Sequence, residues 1–177
     1  MEVGAADPGR AIGPGAPGRS RIPGTGPALI RSGSRRTGKR YLLDCSAWSR
    51  MKSGELDESH LRTHYFNARS TLVTTTVQLL ELLFTARNPK QWSAYAAELR
   101  RHPLLEPTPT THAMALEIQR RLWHSGLLRA VGVVDCAIAA MALRYDVTVV
   151  HYDADFEYIQ LVVPEFAHEW VAERGTL

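Results

Sequence analysis

The sequence predicts an α/β domain built on a short, mostly parallel sheet. From Arg40 onward, short apolar runs of strand length alternate with segments of helical period. Residues with cap and turn chemistry stand between them, and the chain of 177 residues, 45% apolar, is long enough for one domain with a real core. Residues 1–39 are a different kind of sequence. They hold nine glycines and five prolines, too little apolar surface to offset the entropy of ordering, and are expected to be disordered. The predicted organisation is therefore an extension over 1–39 and a domain over 40–177.

Taken in order, Tyr41–Leu43 reads as the first strand, and Ser46 as the N-cap of a helix through Met51 that Gly54 ends. Glu55–Arg69 is predicted helical, Leu72–Thr74 is a short strand, and a Thr-capped helix runs from Val77 to Ala86 until Asn88-Pro89 stops it. Helix is expected over Gln91–Arg101, and Leu104-Leu105 before Pro107 is a weak edge strand. Met114, Ile118 and Leu122 recur at i, i+4, i+8 on a helix that Gly126 ends, and this stripe with Trp123 is read as core whose edge could serve a dimer or a partner groove. In the next helix Ile138, Met141, Ala142 and Tyr145 form the buried stripe; Val147–Val150 is the clearest strand, and Phe156, Ile159 and Gln160 begin the last helix.

Charge narrows the functions available. Residues 1–39 hold seven basic and two acidic residues, a balance of +5, and the remainder holds 14 basic and 16 acidic, a balance of −2. A slightly acidic body cannot hold nucleic acid by general charge, so any such contact needs a local basic patch or bound cations. The Gly/Pro-rich extension is read as dispensable, of the kind left by a translation start placed too far upstream, in preference to a nucleic-acid-binding arm. No apolar run reaches the roughly 20 residues that span a bilayer, so no membrane role is expected. Two cysteines give no disulfide framework, and with no signal-like segment the expected location is the cytoplasm. Strand alternation would turn Cys45 away from Asp44, so it is read as a small packed side chain.

Four acids stand where acids are out of place: Asp44 closes Tyr41-Leu42-Leu43, Glu81 interrupts Leu79-Leu80 and Leu82-Leu83, Asp135 follows Val133-Val134, and Asp153 follows the Val147–Val150 run. A buried unpaired charge costs several kcal/mol, roughly, so such acids are neutralised, paired or bound to a cation. Ends of parallel strands and a helix start are where a functional crevice forms, which would gather these residues. Like charges so gathered favour a hard divalent cation with oxygen ligands, Mg²⁺ or else Mn²⁺, and such an ion supports phosphodiester hydrolysis. The ordinary alternative for Glu81 and Asp135 is an ion pair with Arg87 or Arg129; those two arginines are also the candidates to grip RNA phosphates. His60 and His64 have zinc spacing at i, i+4, but Leu61 stands where the zincin motif needs Glu, so they are read as a surface or half-buried pair.

Leu42-Leu43-Asp44-Cys45-Ser46-Ala47, Leu79-Leu80-Glu81-Leu82-Leu83 with Ala86-Arg87-Asn88, Val134-Asp135-Cys136-Ala137-Ile138-Ala139-Ala140 and Val150-His151-Tyr152-Asp153-Ala154-Asp155-Phe156, in this order and spacing, resemble the PIN-domain family, and within it the VapC-type ribonuclease toxins, over about Arg40–Val171. The resemblance implies a three-layer α/β/α sandwich, a Mg²⁺-dependent endoribonuclease acting on RNA, a homodimer, and inhibition by a cognate antitoxin. It makes Asp44, Glu81, Asp135 and Asp153 the catalytic, metal-holding acids, with Ser46 hydrogen-bonding behind them. Cys45 and His151 stand where the family often has Thr, and Thr85 where it often has Gly. The Asp-x-x-Phe spacing ranks Asp153 over Asp155. Two rivals remain: an aspartyl phosphatase, which needs an acid where Ser46 stands, and a catalytically silent interaction module.

Overall fold

The computed structural model describes residues 38–177, so nearly all of the extension expected to be disordered lies outside the described residues. The first strand, β1, is Lys39–Leu43. Helix α1 (Cys45–Ser53) follows directly, and Gly54 closes it in the left-handed conformation at φ 80°, donating its N–H to the Arg50 and Met51 carbonyls. The N-cap of α1 is Asp44 and not Ser46: the Asp44 carboxylate accepts the Ser46 N–H. The expected long helix over Glu55–Arg69 shrinks to α2 (Glu58–His64), because Asp57 caps it at one side and Tyr65 ends it at the other.

Ser70–Thr75 is one extended segment doing two jobs. Its first half, β2 (Ser70–Leu72), pairs with β1, and its second half, β3 (Thr74–Thr75), pairs with β4 (Leu104–Leu105). The hinge is Val73, whose N–H still reaches the Tyr41 carbonyl at 2.8 Å while the Thr74 N–H turns to Pro103 at 3.0 Å. Between them lie α3 (Thr76–Phe84), capped by Thr75, and α4 (Pro89–Leu99), capped by Asn88 with Pro89 at its start. Helix α5 (Pro109–His124) opens on a reciprocal Thr108–Thr111 capping box, and a 3-10 turn at Leu128–Ala130 leads into α6 (Val133–Tyr145). Strand β5 (Thr148–His151), helix α7 (Asp155–Val162) and strand β6 (His168–Trp170) complete the chain. Strand β6 was not expected: His168-Glu169-Trp170 has no apolar run, and backbone pairing to β5 alone makes it a strand.

All strand pairs are parallel: β2, β1, β5 and β6 form a four-stranded sheet in that order, and β3 and β4 form a separate two-stranded one. Alternate residues of the central strands serve two cores. Leu42 and Val149 face a cluster with Ile118, Leu122, Ile138, Met141, Phe156 and Ile159, from α5, α6 and α7. Tyr41, Leu43 and Val150 face the other way, to Trp48, Leu61, Leu82 and Leu99 from α1 to α4. The molecule is thus the expected three-layer α/β/α sandwich. Trp123, expected in the core, is 65% exposed on the outer side of α5. Among the described residues no helix is long and apolar enough to cross a membrane.

Candidate metal centre

The parallel sheet delivers the acids to one edge. Asp44 follows β1 at its carboxyl end, where its N–H is tied to the Val150 carbonyl at 2.8 Å, and Asp153 follows β5 next door. Asp44 is 4% exposed, and its Oδ2 accepts both the Ser46 N–H at 2.9 Å and the Ser46 hydroxyl at 2.7 Å. Burial pushes its carboxyl up, and the Ser46 hydrogen bonds only partly offset this. The Ser46 hydroxyl in turn accepts the Tyr152 N–H at 2.9 Å, so one side chain joins the acid after β1 to the residue before Asp153.

Glu81 reaches the same place from α3. That helix is anchored by Gln78, fully buried, whose side-chain amide donates to the Leu43 carbonyl and accepts the Thr74 hydroxyl at 2.8 Å. Nothing in the sequence distinguishes Gln78 as a fastener, since an amide among leucines looks like a solvated residue. Glu81 is half-buried, and its Oε2 is shut off from solvent with no hydrogen-bond partner. Burial raises its carboxyl, with Asp44 and Asp153 adding to the rise and the Cys45 thiol opposing it. The expectation of an apolar face around Glu81 holds in composition but not in burial: Leu80 and Phe84 are exposed to solvent on α3.

Asp135 lies in the first turn of α6, where Gly132 is the N-cap without a side chain to serve it. The Asp135 carboxylate folds back over that glycine so closely that a Cβ there would sit 2.6 Å from Oδ2. Burial first, then the charges of Asp44, Asp155, Asp153 and Glu81, push the Asp135 carboxyl up to about 7. Asp153 accepts the Asp155 N–H at 3.1 Å and donates its own N–H to His151 Nδ1 at 3.1 Å. Asp155, ranked below Asp153 by the sequence spacing, accepts the Gly132 N–H at 3.2 Å and is half-buried, with its carboxyl raised by burial and Asp153.

Cys45 is the small packed side chain expected, buried in the core cluster of α1 to α4, but it does not point away from the acids. As the first residue of α1 it escapes strand alternation, and its thiol turns toward the site, not away from it. Oxygens of Asp44 and Glu81 and the Cys45 Sγ lie within 4.8 Å of one another, a group that Asp135 and Asp153 do not join. Sγ also meets the Gln78 carbonyl at 3.7 Å. Arg87 and Arg129 are exposed and form no ion pair with Glu81 or Asp135, so that ordinary explanation of the two acids is not what the fold uses. His60 and His64 stack at 4.1 Å on the exposed side of α2.

Crowded acids with raised carboxyls and an unpartnered buried oxygen fit a divalent cation, which relieves both costs together. The fold and these acids have a counterpart among known families: the PIN domain model matches residues 41–161. The chain belongs to the PIN-domain family. Ribonuclease VapC51 of Mycobacterium tuberculosis is 30% identical over 138 residues, covering 78% of this chain and 97% of that protein. Ribonuclease VapC21 of the same species is 33% identical, covering 77% and 97%. Among solved structures, a DNA-bound VapBC from Salmonella typhimurium aligns with a TM-score of 0.63 at 19% identity, over 76% of this chain and 99% of that one. VapBC-1 from nontypeable Haemophilus influenzae gives 0.62 at 18% identity, over 75% and 98%. At such identities the structural likeness speaks for the PIN fold, while the relatives that are at least 30% identical place this PIN domain with the VapC-type ribonucleases.

Proposed function

We propose that the protein is an endoribonuclease toxin that hydrolyses RNA phosphodiester bonds with Mg²⁺, or Mn²⁺ in its place, and is neutralised by a cognate antitoxin. The observation that carries this reading is the buried, unpartnered Glu81 Oε2 beside Asp44, an arrangement that costs free energy unless a cation completes it. Asp44, Glu81, Asp135 and Asp153 would hold the ion, which when bound polarises a phosphoryl oxygen and makes water nucleophilic. Ser46 orients Asp44 through two hydrogen bonds. Asp135, whose carboxyl burial and the neighbouring acids push up to about 7, is the acid whose ionised form gains most from a cation at this edge. Arg87, on the connection from α3 to α4, and Arg129, just before Gly132, are exposed cations placed to bind RNA phosphates.

The partner assignments draw on exposed apolar side chains. Leu80 and Phe84 flank Glu81 at 68% and 91% exposure, which suits an antitoxin segment laid over the centre. Leu116 and Trp123 on α5 suit a homodimer face. A cytoplasmic location follows from an RNA substrate. Expression of the chain alone in bacteria tests the proposal: growth arrest with new RNA 5′ ends is expected, and Asp135→Asn should abolish the arrest. Unchanged arrest in that variant would sink the nuclease reading and favour the silent interaction module.

A further inference from the structure

The cation centre contains one atom that Mg²⁺ has no use for. Cys45 Sγ stands with Asp44 and Glu81 in a group of potential ligand atoms spanning at most 4.8 Å, and it is the only sulfur in that group. The position is not an accident of a loose surface. Cys45 is 8% exposed, Asp44 is 4% exposed, and the Glu81 carboxylate carries a buried oxygen, Oε2, without a hydrogen-bond partner. The backbone holds them: Asp44 is the N-cap and Cys45 the first residue of α1, while α3 is pinned to β1 by Gln78 through the Leu43 carbonyl. The thiol meets the Gln78 carbonyl at 3.7 Å and lies against the Glu81 carboxylate, and burial with the charges of Asp44 and Glu81 holds it protonated, so an ion that takes the sulfur must displace its proton.

Hard cations choose oxygen ligands and leave a thiol aside, whereas Zn²⁺ accepts sulfur and carboxylate oxygen together, at about 2.3 Å and about 2.0–2.2 Å. We propose that Cys45 gives this centre a second mode, in which Asp44, Cys45 and Glu81 hold a thiophilic divalent cation of the zinc class in competition with Mg²⁺. On binding, the S–H bond breaks, its proton passes to water, and a metal–sulfur bond forms; no electrons are transferred. The occupied site keeps Asp44 and Glu81 from the hard cation, so zinc acts as an inhibitor of the nuclease. The inference rests on the reading of this cluster as the nuclease's cation centre, but its own signature is the metal–sulfur bond.

Co²⁺ titrated into the purified full chain reads that bond directly, as a sulfur-to-cobalt charge-transfer band in the near ultraviolet. The band is expected in the wild type, is erased by Zn²⁺, persists in Cys136→Ser, and is absent in Cys45→Ser and Cys45→Thr. Zinc affinity in the two Cys45 variants should fall by at least about the 10-fold that loss of a ligand's hydrogen-bonding support costs. Mn²⁺ affinity, measured separately, should change far less. A wild-type protein that binds Mn²⁺ and cuts RNA without any cobalt–sulfur band overturns the zinc mode and leaves the nuclease reading standing. The band without RNA cleavage under any metal supports the zinc mode and removes the nuclease reading. Absence of binding by every cation overturns both, and because the wild-type spectrum needs no substitution, the result does not depend on how the variants fold.

Discussion

The hydroxyl of Ser46 accepts the backbone N–H of Tyr152 at 2.9 Å, across 106 positions of sequence. The same hydroxyl donates to Asp44 Oδ2 at 2.7 Å, so one small side chain ties the acid after β1 to the residue after β5. Removing it should leave both cores intact and loosen the acids. Ser46→Ala is expected to lower RNA cleavage by about 10- to 100-fold and to raise the Mg²⁺ concentration needed, with only about 1 kcal/mol lost in stability. Ser46→Thr, which keeps the hydroxyl, should recover most of the activity. A denaturant melt beside a Mg²⁺ titration of cleavage separates the two effects.

Asp135 carries a pH dependence whose sign is opposite to that of a salt-bridged acid. Its carboxyl is raised to about 7 in the folded chain, whereas an unfolded aspartate titrates near 4. The folded form therefore prefers the proton: its advantage is full below about pH 4 and is lost as pH rises through about 7, an upper bound of about 4 kcal/mol. In chelator, Asp135→Asn should melt at a higher temperature than the wild type at pH 8 and at nearly the same temperature at pH 4. Mg²⁺ should narrow the pH 8 difference by stabilising the wild type alone. Equal melting of the two proteins at pH 8 without cation would contradict the crowding of charge at this edge.

His151 pulls the other way. It is fully buried, its Nδ1 accepts the Asp153 N–H at 3.1 Å, and its Nε2 lies 2.7 Å from His168 Nδ1. Burial, then the neighbouring His168, lowers its pKa to about 3. A depressed histidine supplies stability that is present above about pH 6.5 and is lost as pH falls toward 3. His151→Phe should flatten the acid limb of the stability curve. Because the Asp135 and His151 contributions oppose each other across the same interval, the wild type alone shows only their difference; the His151→Phe and Asp135→Asn melts, measured from pH 4 to pH 8, resolve them.

The acids were legible because a charge inside an apolar run has few physical explanations. The two central strands and the helices of α5 and α6 were legible for the same reason in reverse, through apolar runs and stripes with a definite period. What escaped notice depends on contacts between distant segments. Strand β6 has no apolar pattern and exists because β5 offers it a backbone edge. Gln78 became a buried fastener only when α3 met the Leu43 carbonyl. Cys45 was misdirected by a boundary error of two residues: with Ser46 as the helix cap it would lie in strand geometry, and with Asp44 as the cap it begins the helix and faces the acids. Asp155 joins the edge only because the fold brings the Gly132 N–H to it.

Gly132 offers the most economical test of that geometry. Its φ of −70° is open to any residue, so the backbone does not demand glycine. Space does: a Cβ would meet Asp135 Oδ2 at 2.6 Å. Gly132→Ala should therefore leave the chain folded, because a carboxylate can swing aside where a packed core could not. The carboxylate that swings aside is one of those proposed to hold the cation, and a misplacement of about 1 Å at such a centre costs on the order of 100-fold in rate. Cleavage by Gly132→Ala is expected to fall by about that factor. Adding Gly132→Ala to Asp135→Asn should then cost nothing further, since both act through one side chain. If the two substitutions instead multiplied in their effect on residual cleavage, Gly132 would be acting on the start of α6 or on Asp155, and the close approach to Asp135 would not be the reason for glycine here.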